Sequence, residues 1–347
     1  MKILIIGDFS SAGHFLQKGF NSLGVKSTHI AYQNGWRENP IEINLTSKYQ
    51  GIIGKIDNYI KPFKLYNLKG FDQVIFLDYF PFPRTFGINS NITKRIQEQN
   101  KSSVLWVMGC DSKMYQWGSN SGSSLCKSCL QFDQKSEICS CSKDVNSEKL
   151  FLQGISKIIP ACFEYHEAHK GDYRINEMIQ LPVPLIPQNK RKVNLKLNFF
   201  HGLNRYGFKG TSIVETVFDE LKRKYKVKAN FLIKGKMKFD EYNSLLLNQD
   251  VVVDQLYNKS LGINSLLTLS KGKILIAGDP KPSCDLINAP RPPMLHVEPS
   301  VNSLRESIEY ALNDFSIFDS FFEEGREYIA KYHSPEVVAS KFLNLLN

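Results

Sequence analysis

Short apolar runs recur along this sequence, each ending at a glycine or an acid and each followed by a stretch with helical spacing. Residues 2–6 end at Gly7-Asp8, Asp72–Asp78 ends at an acid, and Ser103–Val107 leads into Met108-Gly109-Cys110-Asp111. A continuous apolar run has no wet face, so a strand made from it is covered on both sides. Strands of that kind, separated by helical stretches such as Asn91–Gln99, pair in parallel, because each crossover helix returns the chain to the same edge. The opening unit is a βαβ: a strand, a small-residue turn at Ser10-Ser11-Ala12-Gly13-His14, then a helix carrying Phe15, Phe20 and Leu23 that stops at Gly24. Val25–Ile30 follows as the next strand. The turn matches neither the phosphate-loop nor the dinucleotide fingerprint. Ligands of parallel sheets bind beyond the carboxyl ends of the strands, where Asp8, Asp78 and Asp111 fall. Each of these could equally be a structural turn acceptor.

Leu181-Pro182-Val183-Pro184-Leu185-Ile186-Pro187 excludes helix and predicts an extended linker. The alternation then resumes. Strands are expected at Leu195–His201, Ala229–Ile233, Asp250–Asp254, Lys273–Ala277 and Leu295–Val297. Helices are expected after Ser212, at Phe239–Asn248, Asn264–Ser270 and Asn302–Asn313, and over most of Phe315–Asn347 with a break near Ser334-Pro335. Ser212/Glu215 and Ser303/Glu306 have the spacing of capping boxes. The expected fold is α/β with two Rossmann-like domains. Residues 1–187 form the first, 188–325 the second, and 326–347 a final helix packing back on the first.

Residues 112–147 depart from the pattern. They are polar and hold Cys126-Lys127-Ser128-Cys129 and Cys139-Ser140-Cys141, within a group of five of the seven cysteines between Cys110 and Cys141. Two chelating pairs in a chain without a secretion signal suit a tetrahedral zinc bound by Cys126, Cys129, Cys139 and Cys141, with reduced thiols or disulfides as alternatives. A segment with so little apolar content would then take its fold from the metal. No apolar run reaches the roughly 18 residues of a membrane span, so a cytosolic location is expected. The formal net charge of +10 favours anionic partners. The cluster Lys222–Lys228 is either a solvated helix end or a contact for anionic lipid headgroups. No nucleic-acid module is present, and none is expected to act as partner.

The second half carries the sharpest chemistry. Arg205 and Lys209 stand in a loop between strand and helix, with Gly207 and Gly210 allowing close backbone approach. A guanidinium grips phosphate oxygens in pairs and an ammonium adds a compact charge. The stretch His201-Gly202-Leu203-Asn204-Arg205-Tyr206-Gly207-Phe208-Lys209-Gly210 is followed in order by Asp250–Gln255, Ser260-Leu261-Gly262, Lys271-Gly272-Lys273, Pro292-Pro293, Glu298-Pro299-Ser300 and Tyr332-His333-Ser334-Pro335-Glu336. In this order the second domain resembles the nucleotide-binding domain of GT-B glycosyltransferases, in particular the large retaining family with an Arg…Lys-Gly donor signature.

The resemblance implies transfer of a sugar from a nucleotide-diphosphate donor to a hydroxyl acceptor, in cell-surface polysaccharide or glycan assembly. It implies that Arg205, Lys209 and Gly210 hold the diphosphate. Gln255 and the loop Ser260–Gly262–Asn264 would line the donor, with Lys234 beside the base, and no catalytic metal is expected. The acceptor, a saccharide or a lipid-linked one, would lie on the first domain near His14, a candidate proton acceptor or simply a hydrogen-bonding loop residue, and near Asp111. A lipid-linked acceptor leaves open peripheral contact with an anionic membrane. One departure stands out: the family's ribose-binding glutamate is replaced by Leu267. Ribose recognition would pass to Glu298 or Asn264, or the chain would be a non-catalytic nucleotide-sugar or glycan-binding protein of the same fold.

Overall fold

The computed structural model describes residues 1–33, 41–121, 124–133, 145–187 and 196–346. In the first half, β1 (Lys2–Ile6), α1 (Ala12–Ser22), β2 (Lys26–Ala31) and β3 (Ile43–Asn44) lead to α2 (Gly51–Ile60). They are followed by β4 (Gln73–Phe76), α3 (Ile88–Gln99), β5 (Ser103–Val107), α4 (Ser112–Asn120), α5 (Ser124–Asp133), α6 (Val145–Leu152), β6 (Lys157–Pro160) and α7 (Phe163–His169). The second half runs β7 (Leu197–Leu203), α8 (Thr211–Lys224), β8 (Ala229–Gly235), α9 (Phe239–Leu247), β9 (Val251–Val253), α10 (Ile263–Ser270), β10 (Ile274–Ala277), α11 (Lys281–Leu286) and β11 (Leu295–His296). Helices α12 (Val301–Asn313), α13 (Ile317–Tyr332) and α14 (Pro335–Leu346) close the chain.

The strands form two sheets, ordered β3-β2-β1-β4-β5-β6 and β11-β10-β9-β7-β8. Every pairing is parallel, with Ile3 opposite Gln73 across β1/β4 and Phe199 opposite Val251 across β7/β9. These are the two usual doubly wound orders. In each the chain reverses its direction of winding once, between β1 and β4 and between β7 and β9, and opens a crevice at the strands' carboxyl ends there. The loops after β1, β4, β7 and β9 therefore face ligand.

The strands are buried on both faces, as continuous apolar runs require; β1, β4, β5, β7, β9 and β10 are almost wholly enclosed. One face of each sheet has its own core. The other faces share a single core in which Phe20, Trp106, Phe200, Leu267, Tyr328, Ile329 and Phe342 all lie. Phe342 of α14 meets Trp106 edge-on at 5.0 Å. α14 crosses α1 so closely that a Cβ at Gly19 would stand 2.0 Å from the Pro335 carbonyl oxygen. The segment Leu181–Pro187 is extended and stitched to the chain's end: the Val183 N–H donates to the His333 carbonyl (2.9 Å), and His333 Nδ1 donates to the Leu181 carbonyl (2.8 Å).

Neither expected capping box forms. α8 starts after Gly210, whose φ of +73° places the chain without a side-chain cap, and Glu215 bonds the Tyr206 hydroxyl instead. α12 is capped one turn earlier than expected, by Ser300, whose oxygen accepts from the Ser303 N–H. The described part of 112–147 is helical. Asp111 caps α4 by accepting the Met114 N–H at 2.7 Å.

Candidate functional site

The β7 end is the electropositive centre. Thr211 and Val253 hold His201 rigidly, through Nε2 (3.0 Å to the Thr211 hydroxyl) and Nδ1 (2.9 Å to the Val253 carbonyl). Burial, reinforced by the nearby Lys209 charge, pushes the His201 imidazole down to about 4. Lys209 is itself buried. Its ammonium donates to the Gly202 carbonyl (2.7 Å) and pairs with Asp254 at 2.9 Å, while Ser265 donates to the other Asp254 oxygen at 2.6 Å. Burial opposes ionisation of Asp254, yet Lys209 and Ser265 together hold its carboxyl below the usual carboxylate range. An ammonium has three donors, so one N–H of Lys209 is left over from these two contacts.

Arg205 lies across the cleft from its own sheet's core. Its guanidinium stacks over Phe208 (4.1 Å) and donates to Cys129 Sγ at 2.9 Å, with Cys110 Sγ at 4.0 Å. Burial works against its charge, but the two sulfurs outweigh that and hold its pKa above the ordinary arginine value. Cys110 follows β5 and Cys129 lies on α5, so first-half residues grip a second-half cation. α5 adds Ser128, whose hydroxyl donates to the Gly207 carbonyl at 2.8 Å, and Phe132, 5.3 Å from the Tyr206 ring.

The loop after β9 is held from the same side. The carboxylate of Glu164, in the first turn of α7, accepts from the Lys259 N–H and the Ser260 hydroxyl, each at 2.7 Å, and Ser260 in turn accepts from the Phe163 N–H at 2.9 Å. Gly262 precedes α10 and passes so close to Gln255 that a Cβ there would stand 2.9 Å from its Nε2. Among the described residues no hydrogen-bond partner faces Arg205 Nε, Gln255 Oε1, Asn258 Oδ1 or Asn264 Oδ1, all buried. Buried polar atoms in native folds nearly always have partners. Three of the four are amide oxygens, which accept only and would suit hydroxyl or N–H donors of a ligand, while Arg205 Nε is a donor suited to an anion.

On the first half, Gly7 (φ +98°), Ser10 (+54°) and Ser11 (+74°) bend the chain sharply after β1. A left-handed backbone at two serines is strained, and such strain collects at ligand-facing turns. Asp8 Oδ1 accepts the Gly13 N–H at 2.9 Å, and a Cβ at Gly13 would stand 2.7 Å from His29 Nε2. His14 is buried in the first turn of α1 against Phe15. Both oxygens of Asp111 are taken, by the α4 cap and by His169 Nε2 at 2.9 Å, and the pair is fully buried with Tyr79 at 3.2 Å from the same nitrogen. Burial, with some help from Asp111, pushes the Asp78 carboxyl up to about 6 against the Phe80 and Tyr79 N–H groups.

The remaining candidates lie apart from this cluster. Lys234 pairs with Glu241 at 2.6 Å in an exposed contact on the second half. Glu298 is exposed, with its N–H on the Ser303 hydroxyl. Leu267 is core, packed with Phe200 and Tyr328. Cys126 and Cys129 are one turn apart on α5, while Cys139 and Cys141 lie outside the described residues. Among the described residues no three metal-binding side chains converge. Sequence reasoning missed Cys110, Cys129 and Glu164 as partners of Arg205 and Ser260; they come from distant segments, and no local pattern marks them.

Two Rossmann-like domains whose switch points face one another, with cations on one side, define a GT-B architecture. No protein-family model matches the chain, and no curated protein matches it in sequence. Solved structures do match in fold. An alpha-glucosyltransferase in complex with UDP-glucose and DNA containing an abasic site superposes with a TM-score of 0.64 at 11% identity, covering 100% of this chain and 99% of that one. Sucrose-phosphate synthase from Thermosynechococcus elongatus gives 0.59 at 13% identity, over 99% and 97%. WaaG, a glycosyltransferase involved in lipopolysaccharide biosynthesis, gives 0.55 at 12%, over 100% of both chains. The chain has the GT-B fold from end to end.

Proposed function

We propose that this protein is a glycosyltransferase that moves a sugar from a nucleotide-diphosphate donor to a hydroxyl acceptor, in glycan or cell-surface polysaccharide assembly. The observation that carries the reading is the loop after β7, which holds two cations, Lys209 paired with Asp254 and Arg205 with a buried, unpartnered Nε, while Gln255, Asn258 and Asn264 after β9 also carry buried polar atoms without partners among the described residues. Negative charge grows on the departing diphosphate as the glycosidic bond breaks, so fixed cations and amide donors stabilise the transition state more than the ground state. Arg205, with its Nε unpartnered, and the remaining N–H of Lys209 supply the charge. Gly210 and Gly262 let the backbone approach, and α10 points its amino end at the anion. On the acceptor side Asp78, with a carboxyl near neutrality, joins His14 as a candidate to take the acceptor's proton.

Fold neighbours with UDP-glucose and with saccharide-building roles support the donor class. Leu267 favours a second reading, a nucleotide-sugar-binding protein without turnover, because a core leucine gives the ribose no acceptor. Calorimetric titration with a panel of nucleotide sugars, followed by turnover assays with saccharide, lipid-linked and DNA acceptors, separates the two. Arg205→Ala should weaken donor binding by about tenfold or more. Failure of every nucleotide sugar to bind the native chain would sink both readings.

We also infer a structural zinc bound by Cys126, Cys129, Cys139 and Cys141. Cys126 and Cys129 are placed one turn apart on a single helix, and a zinc-bound thiolate at Cys129 would still accept the Arg205 hydrogen bond. Metal analysis of the purified chain should return about one zinc per chain, lost on Cys126→Ser. Full zinc content in that variant, or none in the native chain, removes the assignment.

A further inference from the structure

The α2 helix is amphipathic in the wrong direction for water. Gly54 is its one buried residue. Its polar side faces the protein: the Asn58 carbonyl accepts from Tyr32 (2.7 Å), Asn58 Oδ1 accepts the Ser47 N–H (2.6 Å), and Asp57 pairs with Lys61 at 3.3 Å. At Gly54 the helix packs against its own lead-in, where a Cβ would lie 2.2 Å from the Tyr49 carbonyl oxygen. The isoleucines are turned outward. Ile52 is 77% exposed, Ile53 66%, Ile56 52% and Ile60 56%, and Phe63 beyond them is also exposed.

A second apolar group stands next to this face. Tyr59 reaches Thr85 (3.3 Å between hydroxyls), and the neighbouring Phe86 is 90% exposed in a left-handed backbone conformation (φ +56°). A bulky residue at positive φ, with its ring in water, is strained without any return from the rest of the fold. Contiguous apolar surface of this kind marks an interaction face.

The charge around the face selects its occupant. Between Lys48 and Lys69 there are five lysines and one acid, Asp57, which is committed to Lys61. Lys48, Lys55, Lys64 and Lys69 are exposed around the apolar stripe. A second copy of the chain meeting this face symmetrically would set lysines against lysines. A bilayer with anionic headgroups satisfies both features: acyl chains take the isoleucines and Phe86, and phosphates take the lysines. We propose that α2 and the Phe86 turn form the surface by which this protein docks on an anionic membrane. The face is on the first half, away from the basic Lys222–Lys228 cluster, part of which ends α8 and whose Lys224 is paired with Glu309. It stands independently of the sugar-transfer reading. If that reading holds, docking here ties the acceptor half to the lipid, because the same loop runs from Asp78 at the end of β4 to Phe86.

The test is co-sedimentation of the full chain with phosphatidylcholine vesicles with and without phosphatidylglycerol. Binding is expected with phosphatidylglycerol and weakly or not at all without it. Ile52→Glu/Ile56→Glu and Phe86→Ser should each reduce it by on the order of tenfold, and Lys55→Glu/Lys64→Glu comparably at low salt. Lys222→Glu/Arg223→Glu should leave it unchanged. These positions are exposed, so thermal melts and donor binding in solution should match the parent, which separates this result from failure of the donor site. Equal sedimentation of parent and apolar-face variants, no sedimentation of the parent, or a concentration-dependent dimer abolished by Ile52→Glu/Ile56→Glu would each overturn the proposal.

Discussion

Arg205 and Lys209 sit in one loop, carry the same charge and are expected to serve one anion, yet the structure treats them in opposite ways. Lys209 is enclosed by its own half, on Gly202 and Asp254, above a neutral His201. Arg205 leaves its half and is held by Cys110 and Cys129 of the other. The first belongs to the second domain's core and would be in place whether the halves stand open or together. The second is placed only when they meet. The same division separates the two loops: Ser265 on α10 is bonded within the domain, whereas Ser260 is bonded to Glu164 across the cleft. The loop after β7 is therefore held partly by its own half, through Lys209, and partly by contacts from the other, through Arg205.

The largest expected effect tests this division directly. Lys209→Met leaves Asp254 buried and without its cation, a change that typically costs about 3–5 kcal/mol. Arg205→Ala removes a half-buried cation whose partners are thiols and a ring, and its cost to stability should be about 1 kcal/mol. Urea denaturation of the two variants measures both. Replacing both members, as Lys209→Met with Asp254→Leu, should recover much of the Lys209→Met loss, because no lone charge remains. Equal destabilisation by Arg205→Ala and Lys209→Met would break the comparison and make both cations structural.

The sheets were legible because their signal is local. Runs such as Val251–Val253 and Ile274–Ala277 are apolar on both faces, and in a chain of this length only a covered parallel sheet accepts them. The Arg205–Gly210 loop was legible as a strand-to-helix turn because Gly207 and Gly210 punctuate it, and the structure places it between β7 and α8. What could not be read is what depends on distant segments meeting. Glu164 caps a loop that begins 95 residues later, and Cys129 and Arg205 are 76 residues apart. The capping boxes failed for a related reason. Spacing proposes a cap, but Glu215 had a better partner in Tyr206, and Ser300 lay one turn nearer the start of α12. α2 gave no usable reading because its apolar stripe answers to a partner outside the chain rather than to the core.

Acid gives a smaller effect that sharpens the same contrast. His201 is neutral in the fold, its pKa pushed from the usual 6.5 down to about 4 by burial and then by Lys209. Below pH 6.5 the unfolded chain binds a proton that the folded chain refuses. The stability from His201 is therefore fully present above pH 6.5 and is lost as the pH falls towards 4, by on the order of 2 kcal/mol at pH 5. Asp254, whose folded pKa is depressed, holds its contribution above the ordinary carboxylate value and loses it only as the pH falls further. His333, buried and likewise pushed down to about 4, adds a similar loss through the Leu181 linker. In His333→Asn the His333 share is gone, and the acid dependence that remains belongs to His201 and the Lys209 layer. Lys209→Met should shrink that part, because the second cause of the His201 shift disappears, while Arg205→Ala should leave it unchanged. If Arg205→Ala flattens the acid limb as much as Lys209→Met does, then Arg205 is coupled to the buried layer and closure cannot be what distinguishes the two cations.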